Sequence, residues 1–230
     1  MSEVSPGIVK LEIKYLNLYD LQKVFKLYSS AVERVPRGFL SEKTEEDIYA
    51  ILANEYSVSY GIFQNEYLLG YQLGLIRSGN LSCIKPRKSK INNRYFQGYG
   101  LVVRPQKTLN KLACHLIKHR IKILLCHNLN FYTGLIHIKN INSLRLQIDT
   151  GHFACEFSKD PLSLNYRMLA FPGRPISNSN SIRINNPTLI RQNQLFQSGH
   201  ILHKVGQLYE FSKFNLNNLS SRADTVSSAL

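Results

Sequence analysis

The chain has 230 residues, 43% of them apolar and 10% aromatic, enough to bury a core as one domain or one domain plus an appendage, which excludes wholesale disorder. No run approaches the ~18 consecutive apolar residues of a membrane span; the opening MSEVSPGIVKLEIK holds no apolar signal segment, and four cysteines without a CxxC pairing read as reduced thiols of a cytoplasmic protein. The net charge of +14 comes from one interval: between Glu66 and Asp149 there are fourteen Lys and Arg and no carboxylate, while the rest balances fifteen against fifteen.

The elements can be taken in chain order. Val9, Leu11 and Ile13 alternate in VKLEIKY, as a half-buried strand requires. Asn17, with Asp20 three residues on, caps a helix whose Leu21, Val24, Phe25 and Tyr28 recur at helical spacing. RVPRG breaks the chain, and Thr44 with Asp47 opens a second helix running to about Asn54. Ser59–Gln64 and Tyr67–Ile76 form a hairpin turning at Asn65-Glu66. Arg77 to Arg94 carries RSGN, KPRKSK and NNR and reads as a loop. Then come the strand Tyr95–Arg104, Pro105, a long helix over Gln106–Asn128, and the strand NFYTGLIHI ending at Ile138. A short helix follows in KNINSLRLQIDTGHF, and LNYRMLAF (Leu164–Phe171) is the last strand of this unit.

The basic interval attracts anions, or is simply a solvated basic face. Its densest part, Lys85, Arg87, Lys88, Lys90 and Arg94, is a candidate site for nucleic acid or another anion, within a broader basic region over residues 77–122. His115 and His119 stand four apart on the long helix, but no third ligand can be named and no metal is expected.

Strand, helix, helix, three strands, helix, strand, helix, two strands: this order over residues 8–172 resembles the GCN5-related N-acetyltransferase (GNAT) superfamily. The YGLVVRP strand exit and the NxxS helix ending in Gly151-His152-Phe153 agree with it. The fold class implied is α+β, a layered, twisted mixed sheet with helices on both faces. The activity implied is transfer of an acyl group from acyl-CoA, here acetyl-CoA, to an amine. By that resemblance, Val102 and Val103 face the pantetheine arm. The phosphate loop falls on Gln106–Lys111, with Leu109 and Lys111 where the family has glycines and Thr108 where it has Arg or Gln. Lys107, Thr108, Leu109, Asn110 and Lys111 are therefore the candidate phosphate cradle, with lysine charge and helix amides in place of glycine. Asn140 and Ser143 match the family's cofactor-side helix. Gln147 stands where a tyrosine usually acts as general acid, and Gln donates no titrating proton. Candidate bases are Tyr71, Tyr99, His137 or a terminal carboxylate, with Tyr99 also the second candidate catalytic residue.

Residues 1–172 form the GNAT-like domain in this reading. Residues 173–230 form a tail rich in Asn and Ser, with a linker over Arg174–Pro187. In it Ile201, Leu202, Val205, Leu208 and Tyr209 fall at helical spacing and predict an amphipathic helix around 200–214. Two functions follow: an N-acyltransferase for an anionic or nucleic-acid-associated acceptor, or a GNAT-fold protein without acetyl-CoA use that binds nucleic acid or employs another donor. A homodimer through the last strands or the tail helix is an open expectation.

Overall fold

The structure, a computed structural model, describes residues 11–79, 81, 94–105, 109–160, 163–172, 181–198 and 200–214. Ten strands form one sheet in the order β1-β2-β3-β4-β5-β7-β6-β9-β10-β8. The strands are β1 (Leu11–Tyr15), β2 (Tyr60–Gln64), β3 (Tyr67–Ser78), β4 (Arg94–Val103), β5 (Phe131–His137), β6 (Phe153–Asp160), β7 (Ser163–Ala170), β8 (Ser181–Asn185), β9 (His200–Val205) and β10 (Leu208–Lys213). The helices are α1 (Leu21–Val32), α2 (Glu45–Leu52), α3 (Leu109–Cys126), α4 (Ile141–Asp149) and α5 (Leu189–Gln197). The mixed α+β sheet with packed helices is the architecture the sequence implied.

Local chemistry sets the boundaries. Asn17 and Asp20 form a reciprocal capping box on the 3-10 turn Leu18–Asp20 that leads into α1. Thr44 and Asp47 do the same for α2. Asn65 turns the β2–β3 hairpin at φ 55°, a left-handed conformation that asparagine tolerates. Asn140 caps α4 by accepting from the Ser143 N–H at 3.1 Å, and Gly151 ends that turn at φ 94°.

The sheet carries its core in blocks. Val24 and Leu27 of α1 and Ile48 of α2 pack with Tyr71, Leu73 and Val102 of the sheet. Against α3 lie Tyr60, Ile62, Phe96, Leu116 and Tyr132. The third block gathers α4, α5 and the last strands around Ile136, Tyr166, Met168, Leu202 and Phe211.

Two expectations are corrected. Residues 200–214 are not a helix but the antiparallel pair β9 and β10, in which Val205 opposes Tyr209 around Gly206-Gln207. Ile201, Leu202 and Val205 satisfy a helical spacing, but the turn at Gly206 and the buried sheet neighbours favour the strand. The linker expected over Arg174–Pro187 contains β8, which pairs with β10 and carries Ile182 and Ile184 toward the third core block. The other departure is milder: β1 is an edge strand on which Leu11 and Tyr15 are exposed, so only Ile13 of its apolar side chains is half-buried.

Candidate active site

The sheet opens at one place. β4 and β5 run parallel but pair only at Tyr95–Gln97 with Phe131–Thr133. Among the described residues β4 hydrogen-bonds from Gly98 onward to β3 alone, so its β5-facing edge has no strand partner there. The divergence is built into the sequence. Tyr99 is the extra residue of a bulge, since Gly98 pairs with Gly74 and Gly100 with Leu73. Gly100 takes φ 154°, which L side chains rarely adopt. A Cβ on Gly98 would stand 2.6 Å from the Tyr132 hydroxyl, and one on Gly134 would also strike that ring. Both glycines thus leave room for Tyr132 inside the wedge.

A cleft of about 380 Å³ fills the opening. β4 contributes Gly98 to Val102, β5 contributes Thr133 to His137, and α4 contributes Asn140, Ser143, Leu146 and Gln147. The α1–α2 connection closes the other side with Gly38 to Ser41 and Lys43. Among the described residues no Asp or Glu lines it, and its charged lining residues are Lys43 and Arg167. Arg167 is neutralised by Glu156 at 2.6 Å. Lys43 donates to the Ser41 hydroxyl, and burial pulls its ammonium below the ordinary lysine range against the pull of Asp47.

Behind the cleft floor sits Arg120 of α3, fully buried. Its Nη1 donates to Gln147 Oε1 at 3.2 Å and to His152 Nε2 at 2.8 Å, and its Nη2 donates to Gln72 Oε1 at 2.5 Å. The guanidinium carbon lies 3.7 Å from the centre of the Tyr132 ring, a desolvated cation–π contact. Among the described residues no carboxylate pairs with it. Guanidinium only donates, so each atom facing it must accept. His152 is thereby held as the neutral tautomer protonated at Nδ1, and that nitrogen is buried with no partner among the described residues. Burial first, and the Arg120 charge second, lower its pKa well below the usual histidine value. Gln72 turns its amide nitrogen to the Leu73 and Gly100 carbonyls, tying β4 at its bulge. Gln147 turns its amide nitrogen away from Arg120, and among the described residues that nitrogen has no hydrogen-bond partner.

The sequence candidates divide. Val102, Tyr99, Asn140, Ser143 and Gln147 meet in the cleft lining, together with Tyr71 and His137. Val103 does not line it and packs with the α3 core block. Lys111 is exposed on the first turn of α3. Lys107 and Thr108 lie outside the described residues, as do Lys85, Arg87, Lys88 and Lys90 of the basic loop; Leu109 and Asn110 open α3. Arg94 is exposed at the far end of β4 from the cleft.

The candidate bases fare poorly. Burial drives the Tyr71 hydroxyl far above its ordinary pKa. Tyr99 accepts from Arg77 at 3.0 Å. His137 Nδ1 accepts from the Lys139 N–H at 3.3 Å, so its neutral form carries the proton on Nε2 and is no ready base. Arg120, Gln72 and His152 were not foreseen as site residues. The available signal was position: Arg120 falls on the buried stripe Ala113, Leu116, Ile117, Ile123 and Leu124 of α3, where a solvated arginine does not belong.

Beside the exit of β4, a second groove of about 260 Å³ is lined by Lys26, Leu27, Ser30, Arg34, Arg104 and Pro105. Arg104 is anchored there by its Nε, which donates to the Leu68 carbonyl at 2.9 Å.

No family model matches the sequence, and no curated protein matches it. Solved structures do match. An N-acetyltransferase from Staphylococcus aureus Mu50 superposes with a TM-score of 0.56 at 17% identity, covering 71% of this chain and 98% of its own. NAA60 from Arabidopsis thaliana, solved in complex with acetyl-CoA, gives 0.58 at 16% identity, over 70% of this chain and 99% of its own. The chain has the GNAT fold. PaiA N-acetyltransferase from Thermoplasma acidophilum, in complex with coenzyme A, gives 0.53 at 15% identity, with 70% and 99% covered. The GNAT fold accounts for the element order through β7 and for the opening between β4 and β5. Among the described residues no helix is long and apolar enough to cross a membrane.

Proposed function

We propose that the protein is an acyl-CoA-dependent N-acyltransferase that uses acetyl-CoA as donor and acts on an amine carrying negative charge elsewhere in its structure. The carrying observation is the wedge: a GNAT fold whose β4 and β5 separate beyond Gln97 and open a cleft with no carboxylate among its described lining residues. The bare edge of β4 offers unpaired backbone groups, which suit an extended ligand rich in amides, as the pantetheine arm is. Asn140 and Ser143 stand on the facing helix start. The phosphates would lie past the strand exit, where Lys26, Arg34, Arg104 and Lys111 supply charge in place of the absent glycines.

The charge balance of the cleft speaks for the acceptor class. Among the described lining residues an ammonium ion finds no carboxylate and meets Lys43. A carboxylate or phosphate on the acceptor is attracted by Lys43 and by the buried Arg120 charge. The attacking amine must be neutral, and with His137 in the wrong tautomer and Tyr71 too weakly acidic, it loses its proton to water.

The test is acetyl transfer from acetyl-CoA to a matched panel of amines bearing carboxylates, phosphates, neutral groups or further ammonium groups, read as CoA release and as product mass. The reading expects anionic amines to exceed polycationic ones at least about tenfold in kcat/KM, the equivalent of one favourable charge contact. Transfer to no amine, or preference for polyamines, would contradict it.

A further inference from the structure

A cation buried without a counter-ion is costly, and its cost is tolerated where the charge has a task. Arg120 is such a cation: it is fully buried, its partners Gln72, Gln147, His152 and Tyr132 are all neutral, and the described residues lining the cleft in front of it include no carboxylate. Its field cannot reach the cleft through a direct contact, because Arg120 does not line the cleft. Its partners Gln72, Tyr132 and Gln147 do line it; the Gln72 amide nitrogen is taken by the Leu73 and Gly100 carbonyls, which leaves that of Gln147. A guanidinium accepts no hydrogen bond, so the Gln147 oxygen is locked onto Arg120 and the amide N–H₂ is the end left for the cleft. Polarisation by the cation makes those N–H groups stronger donors than those of a solvated glutamine.

We propose that Gln147, oriented and polarised by Arg120, is an anion-accepting donor on the cleft floor that receives the departing thiolate of the thioester. The inference rests on the acyltransferase reading. The neutral amine's lone pair attacks the thioester carbonyl carbon. The adduct collapses as the carbon–sulfur bond breaks, and both bonding electrons go to sulfur. The amine nitrogen releases one proton to water. The products are the amide, a proton and a thiolate held by the Gln147 N–H, so no side chain has to protonate the leaving group. Gln147 is the catalytic residue in this scheme and Arg120 a positioning residue.

The test uses CoA itself, with no acceptor required. Calorimetry first establishes that CoA binds to the intact chain, and the ultraviolet absorbance of its thiolate is then followed against pH in the bound state. In the wild-type protein the bound thiol should titrate about one unit or more below free CoA, the shift expected of a hydrogen bond to a charged acceptor. In Gln147→Leu that shift should vanish. Gln147→Glu keeps an acceptor for Arg120 and so protects the fold, but replaces the donor with a negative group; it should move the bound thiol above free CoA. A wild-type thiol that titrates as free CoA does, or an unchanged shift in Gln147→Glu, would overturn the assignment and leave the acyltransferase reading standing. Absence of CoA binding would overturn both.

Discussion

The two ends of the sheet hold themselves together differently. Around β4, β5 and α3 the interior contains a guanidinium, two carboxamides and an imidazole, and Arg120 Nε, Thr133 Oγ1 and His152 Nδ1 have no partner among the described residues. Around β6, β7, β9 and β10 the buried polar groups of Asn165, Gln192, Glu210 and Ser212 all have partners, and Phe157, Phe196 and Phe211 pack in tilted and edge-on contact. Burial of aromatic surface stabilises without condition. A buried polar network stabilises only when every member is satisfied, and the one around Arg120 is not. The lesson is that stability and function are drawn from separate parts of one sheet: the carboxy-terminal strands extend the apolar core, while the wedge keeps strained and desolvated groups in place.

Substitutions of similar size in the two regions should therefore behave oppositely. The largest effect is expected at Phe211, fully buried in the third core block. Phe211→Ala should lower unfolding free energy by about 4 kcal/mol through lost burial and a residual cavity, measured by urea denaturation, while molecules still folded keep normal turnover. Arg120→Met should sharpen the contrast. It removes an unpaired charge and keeps much of the volume, so stability should stay within about 2 kcal/mol of wild type, although three acceptors lose their donor. Acetyl transfer should fall at least about tenfold by the same substitution. If Arg120→Met cost as much stability as Phe211→Ala with turnover intact, the division between the two regions would be wrong.

A subtler effect is a pH dependence. His152 stays neutral in the fold because burial and Arg120 lower its pKa, whereas the unfolded chain titrates near 6.5. Below that pH the unfolded state takes up a proton that the folded state refuses, so stability falls as pH drops and is fully present above it. His152→Gln, which still offers an oxygen to Arg120, should flatten the slope in thermal melts between about pH 6.5 and pH 5. A weaker slope should persist from His119 and His203, both also lowered chiefly by burial. The smallest effect is expected at His137. Because His137 Nδ1 already accepts from the Lys139 N–H, the pH profile of kcat/KM should follow the acceptor ammonium, and His137→Asn should leave its midpoint unmoved. A shifted midpoint would restore His137 as a base.

Much of the fold could be read because the chain punctuates itself. The capping residues Asn17, Thr44 and Asn140, the Asn65 turn and Pro105 place elements within a few residues, since each satisfies a backbone requirement that few other residues meet. The carboxy-terminal strands were not legible. Ile201, Leu202, Val205 and Leu208 fit a helix period as well as a strand, and the sheet pairings of Val205 with Tyr209 and of Leu202 with Phe211 and Ala154 decide between them. In the site, Asn140, Ser143 and Gln147 were found through their order along the chain. Arg120 was counted only as one charge among fourteen, because a charge tally does not ask which face of α3 each residue occupies.

The most direct test of the account is calorimetric titration of CoA into the wild-type protein and into Ser143→Trp, which would place an indole in the cleft between α4 and β4. The account predicts saturable binding at one site in the wild type and none in the variant. No binding to the wild type, or equal binding to both, would mean that the wedge between β4 and β5 is not where this protein holds its donor.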